Sequence, residues 1–490
     1  MKCTFKKTVI LLIIAIMCVV LIDSAVCLSS VEDNRIIRIY TKEDLSQIGT
    51  NIEYPLDGHY LLMNDLVFER NTFEKANFNQ IGETAEEPFS GIFDGNGKTI
   101  SGLVWKDEEA QVALFGYIIG ENAIVKNLGL LDVDFLGYKV GAIANSLGRT
   151  TTDMGVIENC YATGRLEAGY FAGGIVMEVR NGVVKECHST CEIISVNIAG
   201  GICATTLEKG TISQCSYQGN ITNLSNYFIG GIVGYNEGVV EKSYSKGKIL
   251  IANSYYAKNL GDCMGGIAGF NTGTIEKSYF SGEITSILRS FSVHDIGENG
   301  IGGVAGQNYG MIRDCYSLGK ISGEKEVGGI VGVNWGDVLN CYSAAQVSQK
   351  TNYHRIGGVV GSSLGYIYVY ATVDKCVSMI PELEVERNGE FGRVIGYTWD
   401  EDNESLVNYS WWDMKVLSRV SFDDGDFFKE NVKNGFFVTT KALKDPITYE
   451  GLGWNFNGPD PVWEISGEYM LPKLVGVGGQ ENLVTPSHLM

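Results

Sequence analysis

One short motif is rewritten along the middle of this chain of 490 residues, and few folds can accept such repetition. It reads Gly-Gly, two aliphatic or small residues, Gly-x-Asn-x-Gly, an aliphatic residue, two mostly polar residues, Cys or Ser, and Tyr. Copies begin at Gly173, Gly200, Gly230, Gly265, Gly302, Gly328 and Gly357, with a degenerate one at Val140-Gly141-Ala142-Ile143. Their spacings are 27, 30, 35, 37, 26 and 29 residues. Periods of this size describe stacked units, each burying its apolar face only against its neighbour.

Aligned on the aliphatic residue after the turn, Ile157, Val184, Ile212, Val240, Ile275, Ile312, Val338 and Val373 fall in register. Three positions later stand Cys160, Cys187, Cys215, Ser243, Ser278, Cys315, Cys341 and Cys376. β-Branched residues suit a pleated surface packed on one side, so each unit reads as short strands separated by turns. Asn-x-Gly elements such as Asn236-Glu237-Gly238 and Asn271-Thr272-Gly273 offer residues that tolerate positive φ, and they are the expected corners. Coils stacked roughly 4.8 Å apart would place like side chains over one another. Each buried aliphatic contributes about 1.5–3 kcal/mol, which offsets chain ordering only when several coils stack. The expected fold is all-β, a right-handed parallel β-helix with an N-terminal cap and a C-terminal closing segment. A left-handed helix needs strict six-residue units, which the variable spacing lacks.

The 62 glycines are about twice the usual share of roughly 7% and sit mostly in the repeats, so they report turns. Proline is scarce, 8 in all, as expected where long parallel ladders need every backbone N–H. The formal charge of −20 disfavours nucleic acid and simple adhesion to anionic membranes, both of which need clustered cations. Lys2, Lys6 and Lys7 precede an uncharged stretch from Thr8 to Ile22, with Ala25-Val26-Cys27 as a cleavage site. That stretch falls short of the ~20 residues that span a bilayer, so residues 1–27 read as a secretory signal. Retention as an anchor is the alternative. Of the 12 cysteines, three leave with the signal and six form the small-residue row. Cys191, Cys203 and Cys263 are the remainder. Ser replaces Cys in two copies, so the row requires a small buried side chain and not a disulfide partner. No Cys/His spacing suits zinc.

The copy from Gly230 to Ile249 resembles the GLUG motif of bacterial secreted and surface proteins, among them adhesin-like proteins and the non-catalytic region of immunoglobulin A metallopeptidases. The flanks resemble the family too: Ile39 to Leu45, Tyr60 to Leu66, Gly91 to Ile100, and the closing Trp411-Trp412-Asp413, Gly453 to Phe456 and Trp463-Glu464-Ile465. The resemblance implies a secreted or surface solenoid. It does not carry peptidase activity over, because none of His59, His188, His294, His354 and His488 opens a His-Glu-x-x-His pattern.

The expected order is a signal over 1–27, a cap with the first coils over 28–110, the repeat solenoid over 111–380, a closing region over 381–475 and a flexible tail over 476–490. Thr41 is the expected N-cap of a short helix in the first cap. Parallel β-helices also include polysaccharide lyases and hydrolases, which need carboxylates recurring in register. Here the outward row beside the aliphatic ladder is Glu158, Lys185, Ser213, Glu241, Glu276, Arg313, Leu339 and Asp374, with mixed signs that suit a solvated face. The acidic runs Asp400 to Glu404 and Asp423 to Asp426 could hold calcium through loop oxygens, but acidic surface loops are commoner; Asp94-Gly95-Asn96-Gly97 lacks a distal Glu, and a turn explains it. Tyr161, Tyr244, Tyr279, Tyr316 and Tyr342 alternate away from the core. They form either an outer aromatic stripe or, as the favoured reading, packing beneath a loop. Asn220, Asn223, Asn403 and Asn408 occupy glycosylation sequons.

No catalytic, cofactor-binding or metal-ligating residue is assigned. The expected function is that of a secreted, non-enzymatic solenoid in adhesion or cell-envelope contact, acting on a glycan or protein partner. It would bind no nucleic acid and, after signal cleavage, no membrane strongly. A polysaccharide-active enzyme or carbohydrate-binding module on the same scaffold is the alternative.

Overall fold

The aliphatic residue of every copy lies over its counterpart in the next, in a computed structural model of the chain. Parallel pairing aligns Tyr60, Phe93, Val125, Ile157, Val184, Ile212, Val240, Ile275, Ile312, Val338 and Val373 as one continuous row. A second row, Val233, Ala268, Ala305, Val331, Val360 and Ile395, lines the adjoining strand. All of these side chains are essentially inaccessible to water. One coil shows the plan: strands Phe228–Gly230, Val233–Asn236, Val239–Glu241, Tyr244–Ser245 and Lys248–Ala252 follow in sequence, each bonded to its equivalent in the coils on either side. The chain folds as a parallel β-helix. The structure describes residues 35–70, 75–150, 153–225, 227–252, 263–287, 299–324, 326–350, 355–365, 371–385, 390–398, 406–418, 429–466 and 469–490. The segment read as a signal lies outside them. Arg38–Met490 is one unit, and the β-helix is contained in it.

Steric exclusion accounts for the Gly-Gly pair. A Cβ on Gly230 would stand 1.9 Å from the Val233 carbonyl oxygen of its own turn. A Cβ on Gly231 would meet Gly266 O of the next coil at 2.2 Å and Ser245 Oγ at 2.3 Å. The second glycine leaves room for the inward residue after the Tyr position, which is the ring of Tyr217 beneath Gly201 and of Phe280 beneath Gly266. Ser occupies that place in the coils between, at Ser189, Ser245 and Ser317. Bulky and small residues thus alternate from Ser189 to Ser317, and Ser alone continues the row at Ser343, Ser378 and Ser410.

The corners differ from expectation. Positive φ belongs to the residue just before Cys or Ser: Asn127 in the corresponding corner before Leu128, then Asn159, Glu186, Gln214, Lys242, Lys277, Asp314, Asn340 and Lys375, at φ from 47° to 55°. This backbone costs a non-glycine residue roughly 1–2 kcal/mol. Each corner N–H keeps a bond to the next coil, as from Glu186 to Ser213 O at 3.0 Å and from Gln214 to Glu241 O at 3.1 Å. The Asn of Asn-x-Gly instead turns its side chain inward. Thr206 Oγ1 donates to Asn236 Oδ1 at 2.5 Å, Asn236 Nδ2 to Asn271 Oδ1 at 2.7 Å, Asn271 Nδ2 to Asn308 Oδ1 at 2.7 Å, and Asn308 Nδ2 to Asn334 Oδ1 at 2.8 Å. These four amides are completely buried and form a one-way ladder along the axis. The accompanying glycine is required by stacking, since a Cβ on Gly273 would lie 2.1 Å from Gly238 O.

Both ends are closed. At the start, helix Lys42–Gln47 is opened by Thr41, whose hydroxyl accepts from Asp44 N at 3.1 Å while the Asp44 carboxylate accepts from Thr41 N at 3.0 Å. At the far end stacking runs past residue 380, where the Gly-Gly pattern lapses: Gly392 pairs with Gly357, Ile395 with Val360, Ser410 with Ser378, and Phe437 with Ser410. Arg393 takes the place of the second glycine. It is fully buried, donates to the carbonyls of Trp411 and Trp412, and stacks over Phe437 at 4.5 Å. A large side chain is admitted there because it closes the last turns, and burial lowers its pKa to about 10. Residues 476–490, expected to be a flexible tail, lie against the coils. Leu489 is buried, and His488 Nε2 bonds to Met379 O at 2.8 Å.

Candidate functional site

The tyrosines after the Cys/Ser row do project outward; the chain covers those from Tyr244 to Tyr342, while Tyr161 stays half-buried against His188. Tyr244, Tyr279, Tyr316 and Tyr342 stack with ring centroids 4.8–5.0 Å apart and planes within 7°. Tyr279, Tyr316 and Tyr342 are fully buried. Their hydroxyls donate to Gly478 O at 3.1 Å, Gln480 Oε1 at 2.7 Å and Pro472 O at 2.7 Å. Trp454 and Trp463 lie over Tyr342, and Trp463 Nε1 reaches Asp314 Oδ1 at 3.4 Å. The closing segment is therefore a strap laid back along the coils, and this row is packing rather than an open stripe. Burial against the strap raises the Asp314 pKa above the ordinary carboxylate value.

The outward row beside the aliphatic ladder is in register as expected, and its charges meet one another. Lys185 lies 3.5 Å from Glu158, Ser213 donates to Glu241 at 2.7 Å, and Arg313 Nε donates to Glu276 at 2.6 Å. Exposed pairs of this kind contribute at most about 1 kcal/mol each and help hold coil register. Asp94 Oδ1 accepts from Asn96 N at 2.8 Å and Asn127 Nδ2 at 3.0 Å, so its carboxylate serves the turn. His188 is exposed and stacks on Tyr161 at 5.0 Å. No group of three His, Cys, Asp or Glu among the described residues is placed to hold a metal ion. Both acidic runs, with Asn403, His294 and His354, lie outside the described residues. Among the sequons, Asn220 is exposed, while Asn223 and Asn408 are buried and hydrogen-bonded to Asn197 O and Val373 O at 2.8 Å each, so neither can accept a glycan in the folded chain. The nine cysteines from Cys160 to Cys376 are buried thiols that form no disulfide with one another, and burial pushes the Cys191 thiol up to about 12.

A second, half-buried aromatic ladder lies elsewhere, at the variable positions of Gly-x-Asn-x-Gly, joined by Phe228 from the strand before Gly230. Phe228, Tyr235, Phe270, Tyr309 and Trp335 contact in series. Phe228 and Phe270 are 4.7 Å apart, Tyr235 and Phe270 5.4 Å, Phe270 and Tyr309 5.3 Å, and Tyr309 and Trp335 5.7 Å. The rings are half-buried, and Tyr309 is 43% exposed. Tyr235 and Phe270 belong to one outward row that also holds Tyr117, Ser146, Glu178, Thr205 and Gln307. The planes of Tyr235 and Phe270 and of Tyr309 and Trp335 lie within 11° of each other, while Phe228 is tilted 41° to Phe270, so the outer face presents mainly ring edges and the Tyr hydroxyls, a surface suited to a broad amphipathic contact. Sequence reasoning treated these positions as unconstrained. The signal was the aromatic identity of the residues flanking Asn in four consecutive copies.

Comparison with known proteins finds one motif and several similar chains. Residues 297–322, the copy around Gly302, match the family model described as the GLUG motif. Halomucin of Haloquadratum walsbyi is 31% identical over 152 residues, 30% of this chain, and the chain spans only 2% of Halomucin's length. Among solved structures, a candidate immunoglobulin A1 protease from Bacteroides ovatus aligns with 58% of this chain and 85% of its own at 18% identity and a TM-score of 0.43. A second structure, described as IgA1 Protease, aligns with 78% of this chain and 24% of its own at 15% identity and a TM-score of 0.33. This chain is a parallel β-helix that carries the GLUG motif.

Proposed function

We propose that the chain is a secreted, non-enzymatic β-helix that holds a surface glycan or protein along its outer face, in adhesion or cell-envelope contact. The half-buried aromatic ladder from Phe228 to Trp335 carries this reading, because its ring edges and the 43%-exposed Tyr309 form a continuous surface row that a partner can cover. The leader-like N-terminus and the GLUG resemblance support export. Pairing of Glu158 and Glu276 with cations favours a solvated face over an active site. A glycan array and a reducing-sugar release assay on the purified protein, beside Phe270→Ala and Tyr309→Ala, test the proposal. Retention on a glycan or envelope surface that the two variants lose, without release of reducing ends, supports it. Depolymerisation of any glycan overturns it in favour of a polysaccharide-active enzyme.

A further inference from the structure

The same outward row that bears the aromatic ladder holds, toward its N-terminal end, a cavity of about 240 Å³ over Tyr117, Ser146 and Glu178 of adjacent coils. Lys139, Arg149 and Arg180 converge on it. That convergence is unusual on a chain whose formal charge is −20, where like charges should be diluted among carboxylates. Two carboxylates oppose the three cations. Glu178 holds Arg180 Nε at 2.6 Å, and Glu86 stands 3.9 Å from Arg149. Of the three cations, Lys139 alone has no ion pair among the described residues. Arg149 is also fixed by a bond to Ala85 O at 3.1 Å, which leaves most of its five donors free to point elsewhere. Lys139 has no carboxylate partner among the described residues; its ammonium stands 5.4 Å over the Phe171 ring. Ser146 lines the cavity, is only 3% exposed, and its Oγ has no hydrogen-bond partner. Buried hydroxyls are normally satisfied, so an unpaired one at a cavity wall marks a position that a ligand group can complete.

We infer that this cavity binds a single carboxylate-bearing sugar residue, a uronic or sialic acid. The excess of one positive charge matches a monoanion and is too small for a phosphate dianion. The guanidiniums of Arg149 and Arg180 suit the planar carboxylate, with the Lys139 ammonium as a third donor. Ser146 and Tyr117 face the sugar hydroxyls, and Met177 supplies an apolar wall for the ring. The volume lies just below the range of drug-sized sites, about 300–1,000 Å³, and suits one sugar unit. This inference rests on the surface-contact reading for the source of its ligand. It adds the chemical class, and it places the acidic group on the same face as the ladder.

Isothermal titration of the whole protein with galacturonic acid, N-acetylneuraminic acid, neutral galactose and inorganic phosphate tests the inference. The expected result is saturable millimolar binding of an acidic sugar, weakened by salt, with neutral galactose silent and phosphate weaker. Lys139→Gln and Arg149→Gln each lose a charge-assisted donor and should weaken binding roughly tenfold or more. Both side chains lie at the surface, and an unchanged melting temperature shows that the variants fold. Absence of saturable binding by either acidic sugar overturns the assignment, as does binding unchanged in both variants. Phosphate binding as tightly as the sugars overturns the sugar class. Tyr309→Ala leaves the cavity intact, so loss of surface retention in that variant without any acidic-sugar binding would sink this inference alone. Acidic-sugar binding without surface retention would sink the function proposed above instead.

Discussion

Removing one rung from the middle of the asparagine ladder should cost far more than removing the last. Asn271 accepts from Asn236 Nδ2 at 2.7 Å and donates to Asn308 Oδ1 at 2.7 Å and to Gly273 O at 3.2 Å. In Asn271→Ala the Asn236 amide keeps weak contacts to Gly238 O and Thr274 O at 3.4 Å, and Gly273 O keeps its bond from Met311 N at 2.9 Å. Asn308 Oδ1 loses its donor inside a dry interior. A stranded buried acceptor costs about 1–3 kcal/mol and each further lost bond about 1 kcal/mol, so the whole change is about 3–5 kcal/mol. Asn334→Ala is different. Asn308 Nδ2 then retains Gly310 O and Asp337 O at 3.2 Å each, Gly336 O keeps its bond from Thr372 N at 2.9 Å, and only the part-buried Thr372 O loses its Asn334 donor, so no fully buried acceptor is stranded and the cost is about 1–2 kcal/mol. Repeat arrays can unfold piecemeal, so native-state hydrogen exchange of the strands at 233–236, 268–271 and 305–308 is the suitable assay. If Asn271→Ala and Asn334→Ala lower the opening free energy equally, or the former by less than about 1 kcal/mol, the ladder does not stabilise the coils as argued here.

Gly231→Ala places a methyl 2.2 Å from Gly266 O and should destabilise the chain by at least about 2 kcal/mol, whereas Gly169→Ala, with its nearest neighbour 3.9 Å away, should stay within about 0.5 kcal/mol in urea denaturation. All nine described cysteines should resist iodoacetamide at pH 8 in the native protein and react once it is unfolded, as read by intact-mass spectrometry; Cys315→Ser should fold normally, because Ser243 and Ser278 already fill that row. Burial depresses the His488 pKa below 6.5, so folding favours the neutral ring. Its contribution is therefore fully present above pH 6.5 and is lost as pH falls from there toward the folded value. Exchange of residues 476–490 should quicken over that window, and His488→Gln should remove the pH dependence. Tyr316→Phe should loosen the strap by about 1 kcal/mol through loss of the Gln480 bond, visible as faster exchange around residue 480.

The repeating part of the fold was legible because stacking imposes the same demand on every copy. A position that must be aliphatic in one coil must be aliphatic in the next, so Ile157 to Val373 declared their register in the bare sequence. The same logic identified the Cys/Ser row as small and buried. What the sequence could not separate was two residues with the same composition and opposite orientation. Asn serves as a corner in many turns, yet Asn236, Asn271, Asn308 and Asn334 point inward, because an amide can both donate and accept and so link identical copies at coil spacing. The strained corners fell instead to the residue before Cys or Ser, an Asn or Asp in some copies but Glu186, Gln214, Lys242, Lys277 and Lys375 in others, residues without local preference for positive φ. They are held there by bonds to a neighbouring coil, and such bonds exist only once the coils stack.

Sequence alone therefore determined the class of fold, the axis of repetition and which rows are dry, since these follow from periodic burial. Only the tertiary structure decided which of two outward aromatic rows faces water. The Tyr row from Tyr244 to Tyr342 is covered by a strap that departs from the coils and returns across more than a hundred residues of chain, from Pro472 to Tyr342 and from Gln480 to Tyr316. The row from Phe228 to Trp335 has no such cover among the described residues. Contacts between segments so distant carry no period, and a repeat cannot encode them.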